Sequence, residues 1–212
     1  LGGLTLDFLG LTTAGSLSGQ KLLSDLALTG AVDIREFAPR TVLERFGVAV
    51  ETADGEVLQR ASAKANFVYN SSQMGLRDMQ LALDDSTLTG RVALEGERLT
   101  YDLTVDDINV DRYLPPAAEG GGSEDEGSLD EIDLPLEVLR TLNARGEFKF
   151  GQAKFSGLTL TNAAFGLNAA NGGVRLTPSA QLYGGRMSGD IRVQVDAAAA
   201  TLTFEQNLDD VN

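Results

Sequence analysis

The chain has 212 residues, a formal net charge of −14 from 31 Asp plus Glu against 17 Lys plus Arg, and no His, Cys or Trp. Without His or Cys, a Ser-His or Cys-His nucleophile cannot be built, the usual zinc and iron sites lack their ligands, and no disulfide can staple the fold. The acidic balance argues against nucleic acid and against adhesion to an anionic membrane surface, and no run approaches the ~20 apolar residues that span a bilayer.

The sequence opens at Leu1 with neither an initiator Met nor a leader, as expected of a fragment whose targeting information lies outside it. The first clear element is a one-sided strand carrying Leu26, Leu28, Val32 and Ile34. Pro39 stands where a first helical residue would, Val42, Leu43 and Phe46 share a face, and Gly47 supplies a stop, so a short helix is predicted near 39–46. Asp54 is placed to cap a turn through Leu58. Ala61, Ala63, Ala65, Phe67 and Tyr69 form the next strand. Met79, Leu81 and Leu83, the turn signal Asp84-Asp85-Ser86-Thr87 and the strand after it predict a hairpin over 76–94. Leu99, Tyr101, Leu103 and Val105 make another strand; the adjacent Asp106 and Asp107 point to opposite faces of it and form no dyad.

Residues 115–133 interrupt this pattern. They open on Pro115-Pro116, contain Gly120-Gly121-Gly122 and carry Glu119, Glu124, Asp125, Glu126, Asp130, Glu131 and Asp133 with no base, which predicts a disordered acidic linker. Consecutive Glu124-Asp125-Glu126 lacks the spacing of a calcium loop, and the glycine run has neither the Lys nor the strand-to-helix setting of a phosphate cradle. The expected organisation is an amino-terminal β module over 1–114, the linker over 115–133, and a carboxy-terminal β module over 134–212. A short helix from Pro135, with Leu136, Leu139 and Leu142 on one face, opens that second module. Strand alternation resumes with Phe148 and Phe150, then Phe155, Leu158 and Leu160, then Phe165 and Leu167. It continues past the turn Asn171-Gly172-Gly173 with Val174, Leu176 and Leu182, and ends with Val195, Leu202 and Phe204. Leu182-Tyr183-Gly184-Gly185-Arg186 reads as a tight turn rather than a binding loop.

One phrase recurs three times: Leu28-Thr29-Gly30-Ala31-Val32-Asp33-Ile34, Leu88-Thr89-Gly90-Arg91-Val92-Ala93-Leu94 and Met187-Ser188-Gly189-Asp190-Ile191-Arg192-Val193. Each alternates with period two, and each holds a Gly on its apolar face, a sign of a bulge, a bend or a close approach of another backbone. Repeated one-sided strands build an extended surface.

The order of phrases resembles the AsmA family of Gram-negative envelope proteins. The resemblance is carried by Leu134-Pro135-Leu136-Glu137-Val138-Leu139-Arg140-Thr141-Leu142-Asn143, by Gly146-Glu147-Phe148-Lys149-Phe150-Gly151, and by Gly157-Leu158-Thr159-Leu160-Thr161-Asn162. Leu182-Tyr183-Gly184-Gly185 and Gly189 continue it; Asp106 to Pro115, Phe37 to Leu43 and Leu83 to Gly90 also fit, so that it covers residues 14–212. The resemblance implies a periplasmic domain tethered to the inner membrane by an amino-terminal helix that this chain lacks. It also implies a long, groove-forming β structure and a part in outer-membrane biogenesis, with phospholipid moving between the inner and outer membranes in the larger relatives. Family members continue past a phrase like Leu202 to Leu208, which marks Asn212 as a truncation. The family supplies no catalytic residue, metal or cofactor to transfer.

The fold expected is mainly β: a curved antiparallel sheet forming a groove or clam-like structure, with two or three short helices and an apolar concave face. The leading functional expectation is a non-enzymatic module that shields phospholipid acyl chains on that face, lined by Phe148, Phe150, Phe155, Leu158, Leu160, Phe165, Leu167, Leu182, Ile191 and Val193. Two acyl chains need roughly 20 kcal/mol of shielding at ~0.8 kcal/mol per CH2, which only a continuous apolar lining supplies. The alternative is a scaffold whose acidic surface and strand edges bind envelope proteins; a carboxylate-dependent hydrolase is a distant third. An uninterrupted apolar face favours lipid, polar interruptions favour the scaffold, and two carboxylates converging in a cleft favour the enzyme.

Overall fold

The computed structural model describes residues 3–8, 11–20, 25–115, 136–195 and 200–210. They form a mainly β fold, a single twelve-stranded sheet in which each strand lies beside the next in sequence. The strands are β1 (Leu4–Phe8), β2 (Leu11–Gln20), β3 (Ala27–Phe37), β4 (Ala61–Tyr69), β5 (Gln73–Leu83), β6 (Ser86–Glu95) and β7 (Arg98–Asn109). After these come β8 (Ala144–Phe155), β9 (Leu158–Ala170), β10 (Gly173–Leu182), β11 (Gly185–Val195) and β12 (Ala200–Asp209). Every neighbouring pair is antiparallel except β7 and β8, which run parallel from Leu99 beside Ala144 to Asn109 beside Lys154. That parallel joint is the departure from the expected antiparallel sheet. It carries the sheet without a break across the position of the acidic segment, whose residues 116–133 lie outside the described residues.

Hairpin turns fix the register. Ser156-Gly157, Asn171-Gly172 and Tyr183-Gly184 each place two consecutive residues at positive φ, the backbone of the two-residue turn whose twist matches its strands. The Tyr183 loop is therefore the tight turn its sequence suggested. Two short helices appear where Pro-initiated helices were expected, α1 (Pro39–Arg45) and α2 (Leu136–Thr141). A single 3₁₀ turn, Val110–Arg112, closes β7; nothing in the apolar spacing marked it.

The two ends of the sheet are built differently. At one end lie α1, the segment 46–60, the Asp84-Asp85 turn, the 3₁₀ turn and the β8–β9 and β10–β11 turns. A knot of hydrogen bonds joins them. Asp84 Oδ2 accepts the Leu58 N–H at 2.7 Å and the Tyr113 hydroxyl at 3.0 Å, while Oδ1 accepts the N–H groups of Gln59 at 2.9 Å and Arg60 at 3.1 Å. Arg40 reaches across the same segment to the carbonyls of Val50 and Val57 and to Thr52 Oγ1 at 2.6 Å. Arg112 donates to Asp54 Oδ2 at 2.7 Å, and the other Asp54 oxygen takes the Glu56 N–H at 2.8 Å, the local turn expected of Asp54. Val57, enclosed by this knot, has no exposed surface.

Burial by itself would raise the Asp84 carboxyl, but the Leu58, Arg60 and Gln59 amides and the Tyr113 hydroxyl outweigh it and hold the group below its ordinary value. Burial and the bond to Asp84 push Tyr113 up to about 12. A carboxyl depressed in the folded state contributes stability above the unfolded value near ~3.9 and loses it as pH falls through the lower folded value. Thermal melts are therefore expected to be flat with respect to Asp84 at neutral pH and to fall below about pH 4. Asp84→Ala, by orphaning its amide donors, is expected to cost about 1–3 kcal/mol at pH 7 and to shallow that acid slope. A variant melting like wild type at pH 7 contradicts the assignment.

The fold's core is thin. Among the described residues the buried apolar side chains are Val57, Ala61, Val105, Ala144, Ala153, Ala163, Ala169, Val174, Ala180 and Val195, every one Val or Ala. No Leu, Ile or Phe joins them, because among the described residues no second sheet covers the first and α2 reaches chiefly β9, β10 and β11.

Candidate functional site: an open apolar face

The alternation of the strands, carried through the pairing register, sets four rows of apolar side chains across the sheet. One row is Leu28, Tyr69, Met74, Leu94, Leu99, Ala144, Ala169, Val174, Val193 and Leu202. Beside it runs Gly30, Phe67, Leu76, Val92, Tyr101, Gly146, Leu167, Leu176, Ile191 and Phe204. The third row includes Val32, Met79, Gly90, Leu103, Phe148, Phe165, Pro178 and Gly189, and ends at Gln206. The fourth includes Ile34, Ala63, Leu81, Leu88, Val105, Phe150, Ala163, Met187 and Leu208. No charged side chain stands in these rows, and Gln206 at the β12 edge is their one polar member.

Strand spacing and rise give the four rows an extent of about 43 Å by about 20 Å. That is on the order of 900 Å², above the ~300–600 Å² of the largest apolar patch on a typical monomer. Much of the face is exposed: Leu76 is 38% exposed, Leu99 37%, Phe165 43% and Leu176 36% in the middle of the sheet, while Val105, Ala144, Ala163, Ala169 and Val174 within the rows are buried. Phe148 and Phe150 meet edge-on with ring centroids 4.5 Å apart, and Phe150 meets Phe165 at 6.0 Å.

All ten lining residues expected from the sequence fall on this face. Phe148, Phe150, Phe165, Leu167, Ile191 and Val193 stand in the four rows. Leu160 and Leu182 lie in the next row, brought together by the pairing of Thr161 with Gln181, and Phe155 and Leu158 face each other at the hairpin tip. Simple alternation along β9 sends Leu158 and Leu160 to the opposite side from Phe165. A bulge prevents this. Asn162 adopts φ 49°, the register with β10 shifts between Ser179 and Gln181, and the apolar phase moves from odd to even numbers. The same device works in β5, where Asp78 at φ 49° and a register shift keep Met74 and Leu76 on the face of Met79, Leu81 and Leu83. Met74 and Leu76 were missed in the sequence because they stand in the other phase; the signal that marks them is the Arg77-Asp78 interruption between two apolar runs.

The glycines of the face make room for rings. A Cβ on Gly30 would lie 2.5 Å from Phe67 Cε1, one on Gly146 would lie 2.6 Å from Tyr101 Cγ and Cδ1, and one on Gly189 would lie 3.0 Å from Pro178 Cγ. Of the readings open for Gly in the repeated phrase, close approach holds at all three: a Cβ would meet the Ser16 carbonyl at Gly30, the Asp102 carbonyl at Gly90 and the Pro178 ring at Gly189.

The opposite face is polar. Three hollows of about 860, 580 and 420 Å³ lie over it between β5 and β12. Their charges answer each other across strands. Lys149 Nζ lies 2.8 Å from Glu147 and 3.6 Å from Asp102, and Arg91 stands 4.0 Å from Asp102. Arg175 and Arg192 both reach Asp190 at 2.6 Å, and the hydrogen bonds from Arg175 and then Arg192 hold its carboxyl down to about 2. Asp106 is engaged separately, accepting the Thr87 and Asp107 N–H groups at 2.7 Å. Among the described residues, no cluster of three or more acids is placed to hold a metal ion, and no helix is long and apolar enough to cross a membrane. Comparison of the chain with protein-family models, with curated proteins and with solved structures returns no match.

Proposed function

We propose that this chain is a non-enzymatic lipid-handling module that shields phospholipid acyl chains along its open apolar face. The observation that carries the reading is the absence of any charged side chain from four apolar rows that cross ten strands and leave most of their large side chains at least partly exposed. Such a face is unstable in water and stabilised by any apolar cover. Each CH2 moved from water onto it contributes ~0.8 kcal/mol, so even partial contact by two acyl chains offsets the cost of ordering them. The alternation that leaves one side dry puts the compensating charges on the other side, which keeps the loaded module soluble.

In line with its resemblance to the AsmA family, the activity proposed is a periplasmic one in outer-membrane biogenesis, with phospholipid passing between the inner and outer membranes from a module tethered to the inner membrane. A binding titration with a fluorescent phospholipid tests the chemistry directly. Saturable fluorescence gain, competed by unlabelled phospholipid and not by its glycerol-phosphate headgroup, is the expected result; competition by the headgroup alone contradicts it.

The scaffold reading has one observation in its favour. Every residue of β12 is exposed, and its outer edge has no neighbouring strand among the described residues, a geometry that accepts a further strand from an envelope protein. It does not account for the dry rows on β3 to β11.

A further inference from the structure

Among the described residues, the large apolar side chains exposed outside the strands are Leu26, Phe46, Val48, Leu114 and Tyr183. All but Leu26 lie at one end of the sheet, the end built from α1, the 3₁₀ turn and the β8–β9 and β10–β11 hairpins. Phe155, 51% exposed, and Leu158, 41% exposed, flank the tip of the first of those hairpins, and Tyr183, 63% exposed, forms the tip of the second. Phe46 is 62% exposed where α1 ends. At the opposite end, which also carries α2 and Leu26, the described hairpin turns are Asn70-Ser71-Ser72, Gly96-Glu97 and Asn171-Gly172, all small or polar. Strand geometry does not require this asymmetry, since a polar pair serves either set of turns equally well.

Four acids at the apolar end are engaged within the fold. Asp84 is pinned by three amides and Tyr113, Asp54 by Arg112 and the Glu56 amide, and Asp85 lies near Arg60 and Arg112. Asp111 accepts the Ser156 and Gly157 N–H groups at 2.6 and 3.1 Å, at the base of the β8–β9 tip. Glu44, Glu51 and Glu56 stay exposed at this end. The two hairpin tips carry Phe155, Leu158 and Tyr183, with Lys154 before Phe155 and Arg186 after Tyr183 in the chain. Aromatic rings flanked by long cations are the side chains that settle at a bilayer's headgroup layer.

We infer that this end of the sheet seats on the surface of a neutral, zwitterionic bilayer, with Phe46, Val48, Leu114, Phe155, Leu158 and Tyr183 entering its interfacial layer. The net charge of −14 selects a neutral surface over an anionic one. The inference goes beyond the lipid-shielding reading and concerns the end of the sheet; of its six residues, Phe155 and Leu158 also belong to the apolar face, whereas Phe46, Val48, Leu114 and Tyr183 do not.

The chain has no Trp, so one engineered Trp reports alone. Tyr183→Trp and, at the opposite end, Ser72→Trp are each mixed with phosphatidylcholine vesicles containing brominated phosphatidylcholine, and the protein is floated on a density gradient. The expected result is flotation of both variants, with quenching of Trp at 183 several-fold stronger than at 72. Phe46→Ser with Phe155→Ser and Tyr183→Ser is expected to weaken flotation about tenfold or more while leaving the thermal melt in place, and phosphatidylglycerol in the vesicles is expected to weaken it further. Protein that stays at the bottom of the gradient, equal quenching at both ends, or a triple variant that floats like wild type overturns the inference. Lipid extracted from vesicles without flotation overturns it too, while leaving the shielding face intact.

Discussion

Gly146→Ala is expected to destabilise the chain by about 3 kcal/mol. The new Cβ would overlap both the Tyr101 ring, 2.6 Å from two of its carbons, and the Tyr101 carbonyl on the adjacent strand. A ring at the end of a side chain can turn aside; a ladder carbonyl cannot move without opening the sheet. The position matters for a second reason. Gly146 pairs with Tyr101 across the parallel β7–β8 joint, the one seam that ties the first seven strands to the last five. Straining it separates two halves that share no other strand pairing. With a melting shift of ~2–4 °C per kcal/mol at this size, the loss should lower Tm by about 10 °C. The companion change Tyr101→Ala, made together with Gly146→Ala, is expected to restore little, because the backbone clash remains. Recovery to wild-type Tm in the double variant would falsify the assignment of strain to the carbonyl.

Phe165→Asp with Leu176→Asp is expected to abolish phospholipid binding without unfolding the chain. Both residues face the open side near the centre of the four rows and are already 43% and 36% exposed, so their carboxylates keep water contact in the free protein. The cost to folding is the loss of lateral apolar contact, about 1–2 kcal/mol at each site. The cost to a loaded complex is far larger, since each charge would have to be desolvated against an acyl chain or leave a gap in the cover. A fall in phospholipid affinity of at least a hundredfold, with Tm within roughly 10 °C of wild type, is the expected pair of results. Unchanged affinity would place the lipid elsewhere, and the three polar hollows around Arg91 and Arg175 are where to look next.

Much of this arrangement was legible from residue order, for a physical reason. A face buried on one side only must alternate with period two, and Leu28 to Ile34, Ala61 to Tyr69 and Val174 to Leu182 do so without interruption. Prolines at 39 and 135 announced the two helices, and the Tyr183-Gly184 and Asn171-Gly172 turns follow from residues that tolerate positive φ. Three features were hidden. The parallel joint is a pairing between strands separated by more than thirty residues, and alternation within a strand carries no information about its neighbour's direction. The bulges at Asp78 and Asn162 shift the apolar phase by one, so Met74 and Leu76 look misplaced until the register is known. Which side is hollow depends on twist and coiling summed over many strands, which alternation within one strand does not report.

The open face also explains why so few large side chains are buried. A sheet that packs a second layer on its apolar side encloses Leu, Ile and Phe; this one leaves them half-covered and encloses Ala and Val where neighbouring side chains lean over them. Its stability rests on the ladder of twelve strands and on the knot around Asp84, not on a central core.

Native mass spectrometry of the chain, purified gently from a Gram-negative host with phospholipid extraction in parallel, tests the shielding face most directly. Phospholipid bound at near-stoichiometric occupancy, and lost from the folded Phe165→Asp, Leu176→Asp variant, is the expected spectrum. Folded protein at its bare mass, with no phospholipid in the extract and none taken up from added vesicles, would contradict it.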